Sequence, residues 1–213
     1  MRAKPNAVLR FQDLGMTEYS STLSAMKTFT KNRTPESLDE IWCTEHPATF
    51  TVGLSQNKNL LDCQLKKIPV VKSDRGGNIT FHGPGQIVMY FLFNIRRANL
   101  SVREMVIRLE QSVLDLLSDY NVHATGDRER PGVYVNGRKI AALGLKVSRG
   151  TTYHGMALNV DMDLSPFSMI DPCGHKDLEV TQLRDLGINK SRGSVSQDWL
   201  KKIMACFNYE ELA

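Results

Sequence analysis

Residues Ile87 to Phe93, reading IVMYFLF, form an unbroken apolar, β-prone run bounded by His82-Gly83-Pro84-Gly85-Gln86 on one side and Asn94 on the other. A strand without a polar face has to be covered on both sides, so this run predicts a buried central strand. Further strand signals lie at Val8–Asp13, Ile41-Trp42, Thr49–Val52, Ile68–Lys72 and Tyr153–Val160, with Pro47 interrupting any continuous strand through Glu45-His46-Pro47. Val133-Tyr134-Val135, then Asn136-Gly137, then a second run predict a hairpin, because Asn-Gly supplies the positive φ values of a type I′ turn. Arg75-Gly76-Gly77 reads as a turn or a loop of unusual dihedrals, and Asp161 to Cys173 as loop.

Helical signals lie in four places, with Asn32 to Asp39 a polar link. Val102, Met105, Leu109, Val113, Leu116, Leu117 and Tyr120 recur behind a Ser101/Glu104 capping box and predict a helix over about 102–119. Other helices are predicted at Tyr19–Lys31, at Thr181–Leu186 and from Ser194 onward, the last capped as S-x-x-Q with Val195, Trp199, Ile203, Met204 and Phe207 on one side. The fold class is α/β or α+β: a mixed sheet packed against helices.

The 213 residues, 41% hydrophobic and 23% charged, suit one globular domain over 1–213. The basic N-terminal stretch lacks the apolar segment of a signal peptide, and the longest apolar run is too short to cross a bilayer, so the expectation is a soluble, cytoplasmic protein with no membrane role. A net charge of +4 permits an acidic partner. The nearest thing to a basic patch is Arg128, Arg130, Arg138, Lys139, Lys146 and Arg149, without the aromatic interleaving of a nucleic-acid surface, so no nucleic-acid partner is expected. Cys43, Cys63, Cys173 and Cys206 form no CxxC pair and no Cys/His cluster at zinc-finger spacing. Walker, G-x-G-x-x-G, G-x-S-x-G and H-E-x-x-H motifs are missing too, so no cofactor or metal is expected and thiol chemistry is what an enzyme of this sequence would use.

Cys173 stands between Pro172 and Gly174, where one dihedral is fixed before the thiol and the backbone is free after it. Such a loop can present a thiol beside N–H groups that face an oxyanion, although most cysteines are buried and inert. A catalytic thiol wants a nearby cation. Lys139 starts a run in which Ala141, Leu143, Leu145 and Val147 share its face by alternation, so it is predicted to point inward with them, or else to snorkel to water. His82 and His154, each followed by glycine, are candidate bases or orienting groups, or simply histidines held by hydrogen bonds.

Four stretches together carry a specific resemblance: EHPATFTVG; SDRGGNITFHGPGQIVMYFLFNI from Ser73 to Ile95; RPGVYVNGRKIAALGLKVSRG from Arg130 to Gly150; and TYHGMALNVDMDLSPFSMIDPCG from Thr152 to Gly174. In order and spacing they resemble the octanoyl-[acyl-carrier-protein]:protein transferases, within the larger group of biotin and lipoate protein ligases. The resemblance implies that group's catalytic-domain fold, and octanoyl transfer from octanoyl-acyl carrier protein through a thioester on Cys173. Acceptors would be lysines on lipoyl domains of 2-oxoacid dehydrogenase E2 subunits and on the glycine-cleavage H protein, the first step of endogenous protein lipoylation. It implies that Lys139 lowers the thiol pKa and aids proton transfer. It also implies that Arg75, Gly76, Gly77, Asn78, Ile79, Thr80, Phe81 and His82, with Ala142, Leu143, Gly144, His154, Gly155, Met156 and Ala157, bind substrate. The enzyme would be a monomer and need no ATP. Phe81 departs from the tyrosine or tryptophan common in that family, keeping the aromatic body and losing a polar handle. The rival readings are a ligase that adenylates a free acid, an amidotransferase with a different acceptor, and a non-catalytic module that binds an acyl carrier.

Overall fold

A computed structural model describes residues 7–55, 68–127, 129–170 and 179–211. The buried run becomes β6 (Gln86–Leu92), every residue of which is buried. Alternation divides it between two layers. Ile87, Met89 and Phe91 belong to one apolar cluster, and Val88, Tyr90 and Leu92 to another on the opposite face.

Around it runs an eight-stranded mixed sheet in the order β11-β1-β2-β6-β10-β9-β8-β7, with β1 Ala7–Met16, β2 Asp39–Glu45, β7 Thr125–Gly126, β8 Gly132–Val135, β9 Arg138–Ser148, β10 Thr151–Asn159 and β11 Tyr209–Glu211. β1 pairs parallel with β2 and β11, whereas β2, β6, β10, β9 and β8 pair antiparallel in turn. A second sheet, β4-β3-β5, joins Val70–Lys72, Thr49–Val52 and Ile79–His82. The Pro47 break separates β2 from β3 as the sequence predicts. Asn136 and Gly137, at φ 50° and 78°, form the tight turn between β8 and β9.

Helices α2 (Val102–Asp119) and α3 (Arg192–Phe207) cover one face of the large sheet. The α2 capping box is complete: Glu104 N–H donates to Ser101 Oγ at 3.1 Å, and Ser101 N–H to the Glu104 carboxylate at 2.8 Å. Trp199 Nε1 of α3 donates to the buried Ser112 Oγ of α2 at 2.9 Å, so the one polar atom of the indole is satisfied inside the joint. Helix α1 (Tyr19–Asn32) lies over the other face, where Tyr19, Leu23 and Met26 meet Trp42, Val88, Tyr90 and Leu92.

Three local expectations need correction. Helix α3 begins at Arg192 and is capped by Ser191, which accepts from Ser194 N–H at 3.2 Å, rather than opening at Ser194; Gly193 is tolerated because first-turn N–H groups have no intrahelical partner. Over 181–186 only Arg184–Leu186 is helical, a single 3₁₀ turn. The N–H groups of Thr181 and Leu183 donate instead to the carbonyls of Lys139 and Asn159. Within the segment read as loop, Ser165–Met169 forms a 3₁₀ helix with Pro166 at its start, and β7 and β11 were not expected. No helix among the described residues is long and apolar enough to cross a membrane.

Candidate active site

Across the face of the large sheet opposite α2 and α3, paired positions of β9 and β10 carry little side chain. Gly144 pairs with Gly155, and Ala142 with Ala157. Val88 and Tyr90 of β6 continue these two rows, since they pair with Ala157 and Gly155. Four adjacent small residues leave a trough in the sheet face, and the segment from Arg75 to His82 roofs it. The resulting pocket is mainly apolar, with about 70 Å³ of free volume. The fit is close at Gly144: a Cβ there would sit 3.0 Å from Gly76 O and 3.2 Å from the Arg75 side chain, so the roof would have to give by a few tenths of an ångström.

Two backbone irregularities bring polar side chains to this pocket. The β8–β9 register shifts between Val133/Ala141 and Tyr134/Lys139, which leaves Ile140 as an extra residue on β9. This bulge reverses the alternation, so Lys139 lines the pocket with Ala142 and Gly144, whereas Ala141, Leu143, Leu145 and Val147 pack toward the core under α2 and α3. The expectation that Lys139 shares their face is thereby corrected. Lys139 is 5% exposed; its Nζ donates to Pro131 O at 3.3 Å and lies 5.2 Å from the Tyr134 ring centre. The second irregularity is His154, at φ 63° within β10. It stacks on Tyr153, with centroids 4.9 Å apart, and reaches the pocket instead of following Met156 into the core.

The roof is fixed by Arg75, whose Nη2 donates to Thr51 O at 2.7 Å and whose Nη1 donates to Gly76 O at 3.0 Å, while Gly76 N–H donates to Leu145 O at 3.0 Å. Rings and hydrogen bonds lock the pocket wall. Tyr90 OH donates to His46 Nε2 at 2.6 Å and His46 Nδ1–H to Thr17 O at 2.6 Å. His82 Nδ1–H donates to Gln86 Oε1 at 2.8 Å, and its ring stacks on Tyr19 at 5.7 Å. Burial, with the neighbouring His46, pushes the His82 pKa down to about 3. His154 falls to about 4, chiefly through burial, against the opposing pull of Asp74. Burial works to raise Asp74, but hydrogen bonds from Tyr153, His154 and Lys27 outweigh it and hold the carboxyl at about 2. Both pocket imidazoles are therefore neutral near pH 7.

Of the residues predicted to form the site, Arg75, Gly77, Asn78, Ile79, Thr80, His82, Lys139, Ala142, Leu143, Gly144, His154, Gly155, Met156 and Ala157 do line one pocket. Gly76 serves the roof, and Phe81 packs between Phe50 and Phe167 at 5.4 and 5.6 Å in an apolar cluster. Cys173 lies outside the described residues. The chain flanking its segment, however, is at the pocket: Phe167 and Val180 line it, and Val180 forms a parallel bridge with Lys139. Tyr19, Gln86, Val88, Tyr90 and Asn159 also line it and were not singled out beforehand. Gln86 and Tyr90 could have been noticed as the polar groups at even positions of an apolar strand.

The comparisons agree with this architecture. Residues 18–204 match the lipoyl protein ligase A/B catalytic domain family. An octanoyltransferase of Laribacter hongkongensis is 49% identical over 189 residues, 89% of this chain and 91% of its own. One of Psychromonas ingrahamii is 47% identical over 204 residues, 96% and 94% of the two chains. Among solved structures, a lipoate-protein ligase A bound with ATP superposes with a TM-score of 0.76 at 13% identity, covering 99% of this chain and 90% of its own, a likeness of fold. The chain belongs to the octanoyltransferases, acyltransferases within the lipoyl protein ligase A/B catalytic domain family.

Proposed function

We propose that this chain, acting as one monomeric catalytic domain in the cytoplasm, moves an octanoyl group from acyl carrier protein to a lipoyl-domain lysine through a thioester on Cys173. The observation that carries the reading is the pocket itself: an apolar trough floored by Ala142, Gly144, Gly155 and Ala157, with buried Arg75 in its roof and buried Lys139 at the end where the chain flanking the Cys173 segment is bridged to the sheet.

In this mechanism the Cys173 thiolate attacks the carbonyl carbon of the incoming thioester, and backbone N–H groups beside the trough receive the developing oxyanion. The bond to the phosphopantetheine sulfur breaks, and Lys139 gives that sulfur a proton as it leaves. An acceptor lysine then attacks as the neutral amine. The bond to Cys173 sulfur breaks, the amide forms, and the amine's surplus proton returns through Lys139. The closed proton balance requires neither ATP nor a metal. Acyl carriers are acidic, and Arg138 and Lys146 of β9, with the exposed Arg149 in the turn just after it, would draw such a donor toward the pocket. E2 lipoyl domains and the glycine-cleavage H protein are the acceptors that fit this chemistry.

Intact-mass spectrometry after brief incubation with octanoyl-acyl carrier protein, without ATP, tests the proposal. Wild type should gain one octanoyl group and lose it to an apo lipoyl domain, and Cys173→Ala should gain none. Octanoylation of the lipoyl domain only with free octanoate and ATP would transfer the assignment to an adenylating ligase.

A further inference from the structure

Lys139 Nζ donates to Pro131 O at 3.3 Å, and Gly132 N–H, at the other end of that same peptide unit, donates to Glu110 Oε1 at 2.7 Å. One peptide group is thus gripped at both poles, by a lysine that lines the pocket and by a half-buried carboxyl group on α2, the helix over the opposite face of the sheet. The backbone that carries Glu110 is itself fixed, because Leu109 and Val113 beside it are fully buried in the core. Burial raises the Glu110 pKa, while the Gly132 hydrogen bond and the positive charge of Lys139 pull it down, so the two side chains feel each other across the peptide.

Glycine makes the close approach possible. Gly132 has φ 141°, and a Cβ on it would lie 2.6 Å from Ala141 O, 3.2 Å from Lys139 Cε and 3.4 Å from Lys139 Nζ. The end of the lysine stem therefore rests against the peptide that Glu110 holds. Tyr134 supplies a further contact: its ring centre is 5.2 Å from Lys139 Nζ, and its OH donates to Arg130 O at 2.7 Å. Arg130 reaches the same ring at 5.4 Å, with its charge paired to Asp127 at 2.7 Å. Hydrogen bonds at the two ends of one peptide polarise and strengthen each other. A lysine stem is flexible, and an ammonium that must give and take protons at one place loses rate whenever it swings away.

We propose that Glu110 is a positioning residue for Lys139: from α2 it holds the Pro131–Gly132 peptide, and Pro131 O in turn fixes the ammonium at the pocket. This rests on the reading that Lys139 moves the protons of acyl transfer. Glu110 does not line the pocket and acts only through Lys139.

Two readouts test the inference in Glu110→Ala, which removes the acceptor, and in Glu110→Gln, which keeps an oxygen for Gly132 N–H. In single-turnover acylation of Cys173 by octanoyl-acyl carrier protein, Glu110→Ala should be about tenfold slower than wild type, the worth of one hydrogen bond, and Glu110→Gln should stay within about threefold of it. In a Lys139→Met background Glu110→Ala should slow acylation no further, since the two residues act as a unit. The second readout needs no acyl group. The Cε–Hε magnetic resonance signals of Lys139, assigned in lysine-labelled protein by their loss in Lys139→Met, should be displaced by the Tyr134 ring in wild type and in Glu110→Gln. In Glu110→Ala they should move toward the values of exposed lysines. Should Glu110→Ala fail to fold, Glu110→Asp keeps the charge but falls one methylene short of Gly132, and should show both effects. Acylation at the wild-type rate in the shortened variants overturns the inference, as does equal slowing with and without the Lys139 ammonium, or a Lys139 signal that does not move. Wild type that never acylates Cys173 sinks the transfer mechanism alone, because the Lys139 signal still reports the hold of Glu110.

Discussion

Lys139 and Val180 run side by side as a one-rung parallel bridge: Lys139 N–H donates to Glu179 O at 2.9 Å, and Thr181 N–H donates to Lys139 O at 2.9 Å. The lysine that faces the pocket is thus the residue whose backbone holds the chain just after the Cys173 segment. Its side chain and backbone have separable jobs. Lys139→Met keeps the bridge and the apolar stem and removes only the ammonium. Its thermal midpoint should stay close to wild type, while Cys173 acylation, followed by rapid-quench mass spectrometry, should slow about a hundredfold to ten-thousandfold. Acylation at the wild-type rate would remove Lys139 from the proton transfers.

Gly155 tests how closely the strands must meet beneath the pocket. A Cβ at this position would collide with Met89 O of the neighbouring strand and lie 2.8 Å from the Phe91 ring, and backbone cannot step aside as a flexible side chain does. Gly155→Ala should therefore lose about 3 kcal/mol in urea unfolding, the upper range for overpacking. Gly144→Ala meets Gly76 O at 3.0 Å and the Arg75 side chain at 3.2 Å, in a roof that can shift slightly. Its stability loss should be the smaller of the two, with acyl binding weakened because the trough is shallower.

The central strand was legible because IVMYFLF can be satisfied in few ways, and its two faces do enter two different cores. The Asn136-Gly137 turn and the α2 cap were legible for the same reason: each is a local rule with a local signal. Lys139 was misplaced because alternation assumes an unbroken ladder, and the extra residue at Ile140 arises from pairing with β8, which single-strand periodicity does not contain. The facing of His154 depends likewise on one left-handed dihedral. Asp74, His46 and Tyr90 enter the site from three separate segments that only the fold assembles. The strands β7 and β11 are too short for periodicity to register, and exist because a neighbouring edge is available to pair with them.

Tyr90→Phe isolates one hydrogen bond of the wall. Tyr90 OH donates to His46 Nε2 at 2.6 Å inside the protein, so the variant leaves a buried imidazole nitrogen unsatisfied while preserving ring packing. The expected loss is about 1–3 kcal/mol in equilibrium unfolding. A loss within error of zero would mean that another donor reaches His46 readily, and the wall would then be less rigid than its hydrogen bonds imply.

Acid should act on this protein through its buried histidines. From an ordinary value of 6.5, burial lowers His82 to about 3 and His154 to about 4, so between pH 6.5 and 4 the unfolded chain binds protons that the native pocket refuses. Stability must then fall as pH falls: the penalty is absent above about pH 7, grows below 6.5, and stops growing at each folded value. At pH 5 it comes to about 2 kcal/mol for each of the two histidines, from 1.36 kcal/mol per pH unit over roughly 1.5 units. Asp74 adds nothing in this window, because its pKa is lowered from 3.8 to about 2 and its contribution is lost only below pH 3.8. Glu110, raised by burial, works in the opposite direction, so the comparison should include His82→Gln, which keeps a donor for Gln86 and cannot take up a proton. Urea unfolding at pH 7.5 and 5.0 should show wild type losing about 2 kcal/mol more than His82→Gln. Equal losses would mean that His82 accepts its proton in the folded state, and a charged imidazole would then have to be accommodated beside Tyr19 and Arg75, at the centre of an otherwise apolar pocket.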